Sequence, residues 1–153
     1  MGFFPFLRRK EFFTQQENDT IVNAIQDAET MTSGEIRVYI ERHCRFVRPL
    51  DRAAEVFWGL KMDCTKNRNA VLVYIAVTDH QYAIYADDGI HQKVGQDFWN
   101  KEVADMKRHF SENHYVDAIA EVIRDVGRAL KEHFPNTGRD DKNELPDDII
   151  FGN

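Results

Sequence analysis

Cysteine is scarce in this chain, and the two present form no pattern. Cys44 and Cys64 are too few to staple a domain of 153 residues. No C-x-x-C occurs and no paired histidines stand nearby, which excludes the usual structural zinc spacings. Two reduced thiols are expected. An excess of positive charge is missing as well. A formal net charge of -6 argues against sequence-independent nucleic-acid binding, which needs a basic surface. Nowhere is there an apolar run long enough to span a bilayer, so no transmembrane segment is expected.

The N-terminus, MGFFPFLRRK, also lacks the order of an export signal. Its short apolar run is broken by Pro5 and precedes the basic residues Arg8, Arg9 and Lys10, whereas a signal peptide has its charge first. Phe6 stands where myristoylation needs Ser or Thr. The expectation is a cytoplasmic monomer whose Phe3, Phe4 and Phe6 pack onto the body. Aromatics beside basic residues also suit a weak interfacial anchor, which is the second reading of this arm.

Familiar catalytic engines are absent too. A Cys-x5-Arg phosphate loop would need arginine at positions that hold Leu50 and Ala70. Asp87-Asp88-Gly89 is not an Asp-x-Asp nucleophile pair, and no Gly-rich phosphate loop or Ser-His-Asp order is visible.

What is present is material for one α/β domain. A chain of this length buries roughly 70% of its unfolded surface, and 42% hydrophobic residues suffice for that core. Residues 1–13 read as an aromatic and basic arm, 14–135 as the domain, and 136–153 as an acidic tail with little to bury, expected to be mobile or only loosely docked. Thr14-Gln15-Gln16-Glu17 is a capping box, and Ile21, Ile25 and Ala28 follow at helical spacing. Glu35 to Glu41 alternates like a strand with unequal faces. Pro49 opens a second helix, with Leu50, Ala53, Ala54, Phe57 and Leu60 as its buried stripe. Ala70 to Val77 is apolar on both faces, as a central strand is. A turn at Thr78–Gln81 returns the chain along Tyr82 to Ala86. One helical segment runs from Ile90 through Phe110, and a last helix, with Asn113 as a candidate cap, ends at Pro135. The order is αβαββ, then two helices and a tail.

This order has a consequence for chemistry. A βαβ unit makes strands one and two parallel, and the hairpin makes strand three antiparallel to strand two. The start of strand one, the start of strand two and the end of strand three then share one rim. Glu35 stands at the first, Asp63, Thr65, Asn67 and Asn69 lead into the second, and Asp87 and Asp88 close the third. Carboxylates held together repel: two charges 4 Å apart cost about 4 kcal/mol at an effective dielectric near 20. Such a rim either raises a pKa or holds a cation. Carboxylate and amide oxygens suit Ca²⁺ or Mg²⁺. The competing reading is a set of solvated loop ends, with Asp88-Gly89 making a turn. Asp63-x-Thr65-x-Asn67-x-Asn69 has alternating oxygens, but Arg68 and Tyr74 stand where an EF-hand needs glycine and glutamate. His91 reads as a surface histidine near a helix start, His80 as a turn residue, and Phe98-Trp99 as core.

The runs TSGEIRVYIE (Thr32 to Glu41), TKNRNAVLVYIAV (Thr65 to Val77) and YADDGIHQKVG (Tyr85 to Gly95), with Phe98-Trp99 after them, together resemble the TPM domain family. The resemblance covers about residues 14–135 and is closest to small stand-alone bacterial members. It implies a three-layer αβα sandwich. With the pattern above, that means a small mixed sheet of two parallel strands plus an antiparallel hairpin strand, and four main helices. It further implies a loop-borne divalent-cation site, usually calcium, around Asn69 and the Asp87-Asp88-Gly89 turn. Glu35 and Asp63 join this set from the rim argument. Acid phosphatase activity is attributed to plant members. Many relatives read Asp-Asn-Gly where this chain has Arg68-Asn69-Ala70, which exchanges a potential ligand for a cation. Many also carry an export signal and a membrane or Gly-rich tail. Neither is seen here, so lumenal and receptor roles are not expected. Three functions remain open: a cation-binding domain, a metal-dependent phosphatase, and a protein-interaction module without metal.

Overall fold

The computed structural model describes residues 13–136 and 147–152. Helix α1 (Gln15–Glu29) begins at the capping box. Thr14 Oγ1 accepts from the Glu17 N–H at 3.1 Å, and the Thr14 N–H donates to Glu17 Oε1 at 2.8 Å. These bonds satisfy amides that a first helical turn otherwise leaves unpaired. Strand β1 (Glu35–Glu41), helix α2 (Pro49–Gly59), strand β2 (Ala70–Ala76) and strand β3 (Gln81–Ala86) follow. Strand β1 lies parallel to β2, with Glu35 opposite Ala70. Strand β3 runs antiparallel to β2, with Ala86 opposite Val71.

Alternation along the strands builds two cores. Ile36, Val38 and Ile40 join Val71, Val73 and Ile75 in the larger one, closed by α1 and the later helices. Leu72 and Tyr74 face the smaller one with Ala53, Val56 and Phe57 of α2. Every residue of β2 is buried, as covering both faces of the sheet requires. Leu50, expected in the α2 stripe, is instead 44% exposed, and Val56 takes its place.

The αβα layering holds, but two parts of the expected architecture do not. The described residues contain five α-helices rather than four. The segment after Ile90 divides into α3 (Asp88–Val94) and α4 (Gln96–Ser111), because Gly95 sits at φ 81°, ψ 166°. That conformation is far from helical and open to glycine. Helix α5 (Tyr115–His133) follows. Asn113 does not cap it. It takes a left-handed φ of 62°, and His114 is the residue before α5.

Among the described residues the sheet also has four strands, in the order β3-β2-β1-β4, and two of its three pairings are parallel. Strand β4 (Ile150–Phe151) pairs with Tyr39 and Ile40. Acidic composition suggested a loosely held tail, yet Ile149, Ile150 and Phe151 are three consecutive apolar residues. Ile149 is buried, and the Gly152 N–H donates to Ile40 O at 2.7 Å. Local apolar content outweighed the average charge. The arm expected to pack through Phe3, Phe4 and Phe6 lies outside the described residues, as do residues 137–146. Among the described residues no helix is long and apolar enough to cross a membrane. Cys44 and Cys64 are unbridged.

Candidate metal centre

Chain direction does bring the predicted rim together. The Glu35 N–H donates to Asn69 O at 3.3 Å, and the Asp87 N–H donates to Ala70 O at 2.9 Å. Asp87 precedes α3, and its own Oδ1 accepts from the Asp88 N–H at 2.8 Å. The approach is close. A Cβ on Gly89 would collide with the Asn67 carbonyl oxygen and lie 2.5 Å from that of Arg68. Only glycine lets the start of α3 sit on the 67–68 backbone.

Arg68 is the centre of this group. Its left-handed backbone (φ 53°) returns the side chain to Asp87, which it grips twice, at 2.6 Å from Nε and 2.7 Å from Nη2. Asp87 is 2% exposed, so the bidentate contact neutralises a buried carboxylate. The pairing with Asp87 raises the Arg68 guanidinium further, with Asp88 and Asp63 adding to it. Arg68 is thus paired with Asp87 and feels the charges of Asp88 and Asp63.

Asn69 lies beside them and is fully buried. Its N–H donates to Thr65 Oγ1 at 3.2 Å, and Nδ2 donates to Ser33 Oγ at 3.2 Å. With its carbonyl bonded to Glu35, one polar atom remains. Oδ1 is buried with no hydrogen-bond partner among the described residues. An unpaired buried acceptor costs about 1–3 kcal/mol. A cation coordinated to that oxygen would remove the cost.

Glu35 shares the rim by register, but its charge acts on other residues. Glu29 and Arg37 both feel it, and Asp147 acts on the same two groups. Burial and Asp147 push the Glu29 carboxyl up to about 10, while Glu29 Oε2 accepts from the Ile36 N–H at 2.7 Å. The expected set therefore divides. Asp87 is bound by Arg68, whose guanidinium also feels the charges of Asp88 and Asp63, and Asn69 follows Arg68 in sequence; Glu35 acts instead on Glu29 and Arg37, as Asp147 does. Amide and carboxylate oxygens, as on Asn69, Asp88 and Asp63, are the donor type that hard divalent ions take. Both oxygens of Asp87 are already engaged by Arg68.

Comparison with known proteins identifies the family and the fold. The sequence matches the TPM domain over residues 8–129. The chain belongs to the TPM domain family. A solved relative of this TPM protein is BA42 from the psychrophilic bacterium *Bizionia argentinensis*, known by NMR. It is 42% identical, the match covers 92% of this chain and 96% of that one, and the TM-score is 0.83. The N-terminal domain of the cg2496 protein from *Corynebacterium glutamicum* is 14% identical, with 77% of this chain and 74% of that one covered. Its TM-score of 0.61 marks a shared fold. No curated protein matches the sequence.

The structure also shows what sequence reasoning missed. His109, Glu112 and His114 place one ligand atom each within 4.8 Å of one another, so this cluster could coordinate a metal. The signal was H-x-x-E-x-H across a helix end, which only the Asn113 turn converts into proximity. His91 is tied to the core instead, its Nδ1 accepting from Trp99 Nε1 at 3.1 Å.

Proposed function

We propose that this TPM domain binds a divalent cation, Ca²⁺ or Mg²⁺, at the rim, with Asn69 Oδ1, Asp88 and Asp63 as its protein ligands. One observation carries the reading: Asn69 Oδ1 is a buried acceptor for which the described protein offers no donor. The excess of carboxylate over Arg68 supports it, since a rim of like charges is stabilised by an added cation. Arg68 acts as a resident counter-ion for Asp87, holding α3 on the 65–69 loop whether or not a metal is bound.

The test is a cation titration of the purified protein followed by melting temperature and amide shifts. At a hundred-fold excess over Kd, stabilisation should reach about 2.7 kcal/mol. Amides of Asn69, Asp63 and Asp88 should move, and Asp88→Asn should reduce the response. No change at millimolar Ca²⁺ and Mg²⁺ would defeat the proposal.

A further inference from the structure

The other end of the sheet carries ligands of a different kind. Helix α4 stops at Ser111, and Asn113 adopts the left-handed conformation that reverses the chain. The Glu112, Asn113 and His114 N–H groups then fold back onto the last turn. Glu112 and His114 both donate to His109 O, at 3.1 and 3.0 Å, and Asn113 donates to Phe110 O at 3.0 Å. This closure places His114 against the residue it follows by five positions. Phe110 anchors the turn by packing on Tyr82 (4.6 Å between ring centroids) and Tyr115 (5.1 Å).

We propose that His109, Glu112 and His114 form a binding site for a borderline transition-metal ion, Zn²⁺ or its neighbours Co²⁺ and Ni²⁺, at the α4–α5 turn. Their ligand atoms already fall within 4.8 Å, and His114 Nδ1 lies 3.7 Å from Glu112 Oε1. A tetrahedral shell with bonds near 2.0 Å needs ligands about 3.3 Å apart. Glu112 and His114 are exposed, so small side-chain rotations close the difference at little cost. A second observation is independent of spacing: His109 Nδ1 is buried without a hydrogen-bond partner among the described residues. Coordination satisfies an imidazole nitrogen as a hydrogen bond would. The partial negative charge at the C-terminus of α4 favours a cation there. Two imidazoles and one carboxylate select this metal class over Ca²⁺ or Mg²⁺. Three protein ligands leave one position for water, so affinity should be below that of a closed structural site.

The test is titration of the full chain with Co²⁺ and Zn²⁺ at pH 7.5. One equivalent should bind with a d–d spectrum free of thiolate charge transfer, and Kd should be on the order of micromolar for an open site. His114→Ala, at a side chain 57% exposed and so harmless to folding, should weaken binding at least about ten-fold. Asp88→Asn should leave it unchanged, which separates this site from the rim whatever the rim does. Absence of saturable binding, unchanged affinity in His114→Ala, or thiolate charge transfer from Cys64 would each overturn the proposal.

Discussion

The two ends of the sheet balance charge in different ways. Where β1 and β2 end, Glu41 and Asp79 have their partners within the protein. Glu41 accepts from Arg52 Nε and Nη2 at 2.9 and 3.0 Å and from the Tyr74 hydroxyl. Asp79 meets His43 Nδ1 at 3.0 Å and the Cys44 N–H at 2.9 Å. Where β1 and β2 begin, Arg68 pairs with Asp87 and feels the charges of Asp88 and Asp63, and Asn69 Oδ1 has no partner among the described residues. Carboxyl groups respond with opposite sign. The bond to His43 lowers Asp79, whereas burial and Asp147 raise Glu29 to about 10. At the first end Glu41 and Asp79 are held by protein side chains and backbone, whereas the rim leaves Asn69 Oδ1 unpaired among the described residues.

Breaking the Glu41 end should have the largest effect. Arg52→Ala leaves Glu41 buried without its counter-ion, and urea unfolding should show a loss of about 3–5 kcal/mol. Added Ca²⁺ should not recover it, because Glu41 lies away from the rim. A methyl group on Gly89 forces the 67–68 backbone away from α3, and Gly89→Ala should lose about 1–3 kcal/mol. Arg68→Ala should also destabilise the protein, but with the opposite response to metal. Freed from the guanidinium, Asp87 becomes a ligand, so calorimetry should show tighter Ca²⁺ binding and Ca²⁺ should restore much of the lost stability.

Asn69→Leu separates a ligand from a structural amide. A purely structural Asn69 would lose about 1 kcal/mol with its hydrogen bond to Ser33. A ligand would leave apo stability unchanged or higher, with the cation response gone.

The smallest effects are those of pH. A carboxyl raised in the folded state favours folding most when protonated in both states, so its contribution is fully present below about 4.5 and fades as pH climbs toward 10. Stability should therefore decline as pH rises across that window. Glu29→Gln, which keeps an acceptor for Ile36, should flatten the slope. Asp79 works the other way: its contribution is present above 3.8 and lost as acid passes below that value. Exchange of the Cys44 amide should speed up in acid, and that of Gly152 in alkali.

Much of the rim could be read from the chain itself. Strand alternation and the βαβ rule placed Glu35, Asn69 and Asp87 on one edge, and the observed register does the same. Side-chain direction could not be read so far ahead. The left-handed turn at Arg68 aims its guanidinium into the acidic group, and Glu35 answers to Glu29 and Arg37. The proximity of His109 and His114 was hidden for a similar reason, since H-x-x-E-x-H means little until Asn113 reverses the chain. Strand β4 escaped because two residues are too few for a period, and only Tyr39 and Ile40 supply the ladder that makes them a strand.

Local rules acting through the sequence alone determined the capping box, the buried central strand, the hairpin and the family. Each depends on neighbours within a few residues, on a period of two, or on ordered motifs. The tertiary structure alone decided which carboxylates share a cation, which amide oxygen is buried unpaired, and where the apolar end of the chain docks. Those outcomes rest on burial and on contacts between residues far apart in sequence, such as Arg68 with Asp87 and Phe151 with Ile40. No local pattern encodes them.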